Sequence, residues 1–476
     1  MYDPKSTKAE EFIDHEEILE TIAYAQRVKD DRNAVDSILS KAREQKGLNH
    51  REASVLLACD DPEKVREIFD LAYQIKQEFY GNRIVLFAPL YLSNYCVNGC
   101  RYCPYHYGSG MARKKLTQEE IYAETVALQD MGHKRLAVES GEDPVNNPIE
   151  YILESLGTIY GVKHKNGAIR RVNVNIAGTT VENYRKLRDA GIGTYILFQE
   201  TYHKAGYEQL HPKGPKHNYA YHTEAMDRAM DGGIDDVGLG VLFGLENYAY
   251  EFAGQLMHAE HLEALHGVGP HTISVPRVKP AQGVDPGSFE GGISDELFEK
   301  LAACIRIAVP YTGMIISTRE GRKVREKMLR SGVSQISGAS RTSVGGYAEG
   351  GDVNGAEPDD DTRQFEVSDT RTLDEVIRWL IDSGYVPSFC TACYREGRTG
   401  DRFMELCKRK QILNCCHPNA LMTLKEYLVD YASSPTRDAG DKLIARELDH
   451  IPKEKVRDLV RKNLVNIEHG QRDFRL

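Results

Sequence analysis

The chain reads as an α/β protein: a (β/α)8 barrel of the TIM type, preceded by a helical extension and followed by a mainly helical domain. Three observations predict it. After Gly81, short apolar runs rich in β-branched residues begin to alternate with amphipathic stretches of helical period. Brief polar loops join each run to the next stretch, as in successive βα units. The alternation occurs eight times between residues 81 and 345, the count and span of a closed barrel. An open doubly wound sheet or a six-unit partial barrel is the alternative, because one or two of the runs are short.

Residues 1–80 form the helical extension. Asp61-Pro62-Glu63 is a helix start, and Val65, Ile68, Phe69, Ala72 and Ile75 follow it at helical spacing. The barrel occupies residues 81–345, with strands at Ile84–Leu90, Arg135–Glu139, Arg171–Ile176, Thr194–Phe198, Asp236–Leu242, His271–Val275, Gly313–Ser317 and Ser334–Ser337. Ser334–Ser337 is the weakest of these. Helical patterns lie between them at Glu119–Met131, Val181–Ala190, Ala220–Met230, Tyr248–Leu265, Asp295–Ala308 and Arg322–Arg330. Thr117 and Glu120 give the first of these a capping box. Residues 346–476 form the C-terminal domain. It opens on a Gly- and Asp-rich stretch over 349–362 that reads as a linker or surface loop. Helices follow at Thr372–Asp382, Asp401–Lys410 and Asn419–Ala432, and charged helices run from about 438 to 468.

Composition narrows the function classes. A net charge of −10 argues against nucleic acid as the main partner, which favours a basic face. No apolar stretch reaches the length of a membrane helix, and the first residues lack the apolar core of a signal peptide. A cytoplasmic protein is expected. In a reducing compartment, clustered cysteines point to metal rather than to disulfides. The ten cysteines fall into two groups, leaving Cys59 and Cys304 alone in helical patterns as buried small hydrophobes.

The first group is Ser93-Asn-Tyr-Cys96-Val-Asn-Gly-Cys100-Arg-Tyr102-Cys103-Pro104, directly after the first strand. A cubane iron–sulfur cluster ordinarily takes four cysteines, so three leave one iron open to another ligand. A zinc loop would show paired C-x2-C units, and no second pair follows nearby. The loop falls at the C-terminal ends of the strands, where barrels of this kind carry their active sites.

Other strand ends offer polar groups to the same face. Ser140-Gly141-Glu142 follows the second strand, Asn175 ends the third, and Glu200 ends the fourth. Ser140-Gly141 permits close backbone approach and Glu142 places a carboxylate against an ammonium group, although a plain turn has the same composition. Arg319 after the seventh strand and Ser337 to Thr342 after the eighth, Ser340 among them, suit a carboxylate clamp; a surface ion pair is the alternative for the arginine. His258, His261 and His266 read as helix-surface residues, and His271, opening the sixth strand, reads equally as a structural histidine or a ligand.

The second cysteine group is Cys390-Thr-Ala-Cys393 with Cys415-Cys416-His417 beyond it. Its pairs suit structural zinc or a second iron–sulfur cluster. Cys407 sits in a helical pattern and reads as packing, and Cys415 is unassigned by spacing.

The C-x3-C-x2-C spacing of Cys96, Cys100 and Cys103 is that of radical S-adenosylmethionine (SAM) enzymes, in which SAM fills the open iron position. With Ser140-Gly141-Glu142, Gln199-Glu200-Thr201-Tyr202, the strand of His271 and Cys390-x2-Cys393-x22-Cys416, the chain resembles the tyrosine lyases of FeFe-hydrogenase maturation over nearly its full length. The thiamine-pathway tyrosine lyases share the barrel elements but lack the C-terminal cysteines. In the resembled family a Gly-Gly-Glu element holds the SAM amino group; here Ser140 replaces the first glycine.

The resemblance implies a radical SAM barrel with a 4Fe–4S cluster on Cys96, Cys100 and Cys103, and with Tyr102, Ser140, Gly141, Glu142, Asn175 and Glu200 around SAM. It implies an auxiliary 4Fe–4S cluster on Cys390, Cys393 and Cys416, with an additional iron at His271. The implied substrate is L-tyrosine, with Arg319 and Ser340 in its site, and the products are p-cresol and dehydroglycine, the latter converted to carbon monoxide and cyanide. A ferredoxin or flavodoxin and the other hydrogenase maturation proteins are the implied partners. Two rivals remain: a thiamine-pathway 2-iminoacetate synthase that stops after Cα–Cβ cleavage, and a cluster carrier without turnover.

Overall fold

A computed structural model describes residues 1–348, 362–409 and 411–476. The loop expected over 349–362 and the helix end expected at Lys410 therefore lie almost wholly outside the described residues.

Eight parallel strands close into a barrel. They are β1 (Arg83–Ser93), β2 (Arg135–Ser140), β3 (Arg171–Asn175), β4 (Tyr195–Ile196), β5 (Val237–Gly240), β6 (Thr272–Ser274), β7 (Gly313–Ile316) and β8 (Gln335–Ser337). Each pairs with its neighbour in sequence order. The short β8 closes the ring on β1 through Val85↔Gln335, Leu86↔Ile336 and Phe87↔Ser337. That closure excludes the open sheet and the partial barrel. The outward face of β1, covered by helices, is apolar: Ile84, Leu86, Ala88, Leu90 and Leu92 are all fully buried. Inward positions such as Arg135, Glu139, Arg171 and Asn175 are instead polar and line the barrel cavities.

A ninth strand, β9 (Val386–Ser388), was not legible in the sequence. It runs parallel to β1 at Arg83–Val85, below the point where β2 begins pairing at Ala88. Pro387 forfeits a ladder hydrogen bond, so Val-Pro-Ser carries no strand signal; the edge position tolerates it. The strand carries Cys390, two residues on, to the N-terminal ends of the barrel strands.

Most expected helices form, with their caps. Thr117–Glu120, Asn49–Glu52 and Thr372–Glu375 are reciprocal capping boxes. The expected helix over Ala220–Met230 breaks into Tyr219–Thr223 and Ala225–Asp231 at Glu224. The helix Ile149–Gly161 and a small hairpin at Lys163–His164 and Gly167–Ala168 were not anticipated.

One expectation is overturned. His258 and His261 are not on a helix surface: both are buried in the helix Tyr248–His266. The N-terminal extension covers that face, where the Phe12 ring stacks on His261 with centroids 3.7 Å apart and Pro4 O lies 2.8 Å from His261 Nδ1. His266 Nε2 and His261 Nε2 share Asp227 Oδ1 at 2.9 Å each.

Candidate active site

The loop after β1 is held by its neighbours through the backbone. Val97 N–H donates to Glu142 O (2.8 Å), Gly99 N–H to Lys213 O (2.8 Å) and Arg101 N–H to Leu210 O (3.0 Å). Two glycines permit this closeness. A Cβ at Gly99 would stand 3.0 Å from the Lys213 Cβ, and one at Gly141 would stand 2.3 Å from the Tyr95 carbonyl oxygen. Glycine at 141 is therefore a steric requirement of the cysteine loop.

The loop opens on a cavity at the C-terminal mouth of the barrel. Cys96, Cys100, Cys103, Tyr102, Ser140, Gly141, Glu142, Asn175, Glu200 and Arg319 all line it. Ser340 does not. It lines a deeper cavity inside the barrel, shared with Arg319, Glu139, Asn175 and Tyr91, and its buried Oγ has no hydrogen-bond partner.

Three lining residues escaped the sequence reading. Asn98 donates from Nδ2 to Glu142 Oε2 (2.6 Å) and lies 3.8 Å from the Cys96 sulfur. Its place inside Cys96-x3-Cys100 was the available signal. Lys216 Nζ pairs with Glu200 Oε1 at 2.9 Å, joining a loop to a strand end; nothing local marks it. Glu139, the last residue of a predicted strand, is pushed up to about 8 by burial, opposed by the Arg319 charge and an Asn175 hydrogen bond. Glu200 itself adopts a φ of +68°, a left-handed conformation rare outside glycine, which fits a position fixed by its ion pair.

Charge at the mouth suits a cationic metal core. Burial pushes the Cys100 thiol up and the Cys103 thiol to about 12, so free thiolates are disfavoured until positive charge arrives. Among the described residues no three His, Cys, Asp or Glu side chains converge closely enough to hold a single metal ion. Three cysteines on one loop are the ligand type an iron–sulfur cluster takes.

The second site lies at the opposite end of the barrel. Cys390, Cys393 and Cys416 line one cavity with His271, Tyr394, Arg83, Arg135 and Arg171. His271 Nε2 meets Tyr394 Oη at 2.6 Å and its Nδ1 lies 3.2 Å from Asp236 Oδ1. The Cys416 thiol is held well below the ordinary thiol range by hydrogen bonds from Cys393 and Cys415 and by Arg83. Cys415 Sγ approaches Cys416 Sγ at 3.6 Å without lining the cavity. Cys407 and Cys304 are fully buried and Cys59 nearly so, as expected for packing residues.

The barrel and its cysteine loop define a class. Residues 90–275 match the radical SAM superfamily and residues 274–386 match the biotin and thiamin synthesis associated domain. The chain is thus a radical SAM enzyme, a class that works with a 4Fe–4S cluster and SAM. A solved structure of HydG, a maturase of the FeFe-hydrogenase, is 54% identical with a TM-score of 0.93, spanning 98% of this chain and 100% of that one. The FeFe-hydrogenase maturase HydG from Carboxydothermus hydrogenoformans is 37% identical with a TM-score of 0.82, over 96% and 99% of the two chains. The chain belongs to the HydG family of hydrogenase maturases. The 2-iminoacetate synthase of Salmonella typhimurium is a more distant relative, 28% identical over 71% of this chain and 86% of that one.

Proposed function

We propose that this maturase is a tyrosine lyase that forms p-cresol and dehydroglycine at the barrel mouth and converts the latter to carbon monoxide and cyanide at the second cysteine site. The observation that carries the reading is the placement of two separate three-cysteine sets, one at each end of one barrel.

Cys96, Cys100 and Cys103 would hold the SAM-binding cluster. With SAM bound, it supplies a 5'-deoxyadenosyl radical for hydrogen abstraction. Glu142, fixed by Asn98 beside the close backbone approach at Gly141, would accept from the SAM ammonium group. Glu200 and Lys216 present a paired charge to the same ligand, with Tyr102, Ser140 and Asn175 on the cavity wall. Arg319 faces both the mouth and the deeper cavity, where a substrate carboxylate would meet it. The unpartnered Ser340 Oγ is free to bond substrate there.

Cys390, Cys393 and Cys416 would hold the auxiliary cluster, and His271 the additional iron after release of a ring nitrogen from Tyr394 or Asp236. The deeper cavity extends from the mouth toward the second site without opening into it. Its floor residues Phe87, Ala137, Ile315 and Ser337 stand two positions along their strands from Val85, Arg135, Gly313 and Gln335 of the second cavity. Two positions on one strand face are ~7 Å apart, so a single layer of side chains separates them. A passage for dehydroglycine would have to cross that layer, so the separation of the two cavities counts against an open tunnel. An electron donor such as ferredoxin or flavodoxin, and the other hydrogenase maturation proteins, complete the proposed partners.

The test is anaerobic reconstitution followed by reaction with SAM, a reductant and tyrosine. p-Cresol and 5'-deoxyadenosine in step are the expected result, and the absence of both contradicts the lyase.

A further inference from the structure

An acid and a guanidinium share one space inside the barrel without pairing. Glu139 near the end of β2 and Arg319 after β7 both line the mouth cavity and the deeper cavity. Each feels the other's charge, yet among the described residues the two make no ion-pair contact. The Arg319 guanidinium lies over the Phe365 ring instead, 3.5 Å from its centroid. Asn175, the register partner of Glu139 on β3, gives the carboxyl a hydrogen bond.

The mouth holds two further carboxylates, and both are engaged. Glu142 accepts from Asn98 Nδ2 (2.6 Å), and Glu200 pairs with Lys216 (2.9 Å). Neither reaches the deeper cavity. Glu139 is the carboxyl that shares both spaces with Arg319, and the two match the ends of an α-amino acid: ammonium to one, carboxylate to the other. The other charged or titratable neighbours are Tyr91, its register partner on β1, and Lys279, which pairs with Glu320 (3.1 Å).

The chemistry asks for a base at that place. Removing a hydrogen atom from an ammonium group leaves a radical cation, whereas removing one from a neutral amine leaves a neutral radical. Prior loss of a proton eases the step. A carboxyl at its ordinary value of about 4.3 is too acidic to receive that proton. Burial brings Glu139 to about 8, within the range in which α-amino groups titrate.

We propose that Glu139 binds the α-amino group of the amino-acid substrate opposite Arg319 and takes one proton from it. At neutral pH the arriving ammonium first displaces the carboxyl proton to solvent. The substrate N–H bond then breaks, an O–H bond forms on the Glu139 carboxylate, and the nitrogen keeps the electron pair; no oxidant or reductant takes part. The proposal rests on the tyrosine lyase reading and deepens it by assigning the residue that prepares the amine.

The experiment uses full-length protein reconstituted with its clusters and SAM and kept without reductant, so that nothing turns over. L-Tyrosine is titrated in by calorimetry at pH 7 in buffers of different ionisation heat. Wild type should release close to one proton per tyrosine bound, and Glu139→Gln none. The variant should bind tyrosine about tenfold or more weakly, the scale of one lost charge-assisted hydrogen bond. 3-(4-Hydroxyphenyl)propanoate, which lacks the amino group, should bind both proteins equally, which shows that the variant site is intact. With reductant added, p-cresol formation by the variant should fall by about 100-fold or more. Equal proton release and equal tyrosine affinity in the two proteins would overturn the proposal. So would a variant that loses the propanoate as badly as tyrosine, since Glu139 would then only shape the cavity. A wild type that binds no tyrosine would instead overturn the tyrosine lyase reading itself.

Discussion

Gly141 and Tyr95 approach so closely that a β-carbon on Gly141 would lie 2.3 Å from the Tyr95 carbonyl oxygen. The contact locks the end of β2 against the residue before Cys96, and the Gly141 N–H donates to Ser93 O (3.0 Å). The geometry of the cysteine loop thus depends on a missing side chain. Gly141→Ala should push the loop outward and lower 5'-deoxyadenosine formation by about 100-fold, the order expected for a displacement near 1 Å. Iron content and the resonance signal of the SAM-binding cluster, measured alongside, should fall as well.

Lys216→Met should leave Glu200 as a buried carboxylate without its cation. Breaking such a pair costs about 3–5 kcal/mol, partly relieved here by solvent at the cavity mouth. A lower Tm and weaker SAM binding by calorimetry are the expected results, and Glu200→Gln in the same chain should restore part of the Tm.

Glu139 offers a pH test. Its carboxyl is raised from 4.5 to about 8 in the folded chain, so the folded state binds this proton more tightly than the unfolded state. Its contribution to stability is complete below about pH 4.5 and is lost as the pH rises through 8. Glu251, also raised to about 8 by burial, adds a slope of the same sign. Denaturant unfolding between pH 5 and pH 8 should therefore show a smaller loss of stability in Glu139→Gln than in wild type, with the Glu251 portion left.

Arg325 and Asp369 form a fully enclosed ion pair that ties the helix Arg322–Arg330 to the segment before the helix Leu373–Asp382. Arg371 shares the same carboxylate, at 2.6 Å. Asp369→Asn should lower stability by about 3–5 kcal/mol, read as a shifted denaturant midpoint.

Much of the fold was legible because alternation of strand and helix is a strong periodic signal, and the strand ends of such a barrel predict where chemistry sits. Cys96, Cys100, Cys103, Gly141, Glu142 and Glu200 fall into one cavity for that reason. What the sequence hid depends on long-range packing. Lys216 meets Glu200 only because its loop folds over the barrel mouth, and no local pattern announces it. His258 and His261 sit on a helix whose exposed face is covered by the remote segment around Phe12. β9 lacks any strand composition and exists because the lower half of β1 has a free edge beside it.

The measurement closest to the central claim separates the two cysteine sets in one reaction. Wild type and the Cys390→Ala/Cys393→Ala variant are each reconstituted without oxygen and supplied with SAM, reductant and 13C-tyrosine; p-cresol is assayed by chromatography and carbon monoxide by infrared spectroscopy. The account predicts that the variant still releases p-cresol while bound carbon monoxide disappears. Carbon monoxide at the wild-type level in that variant would contradict it.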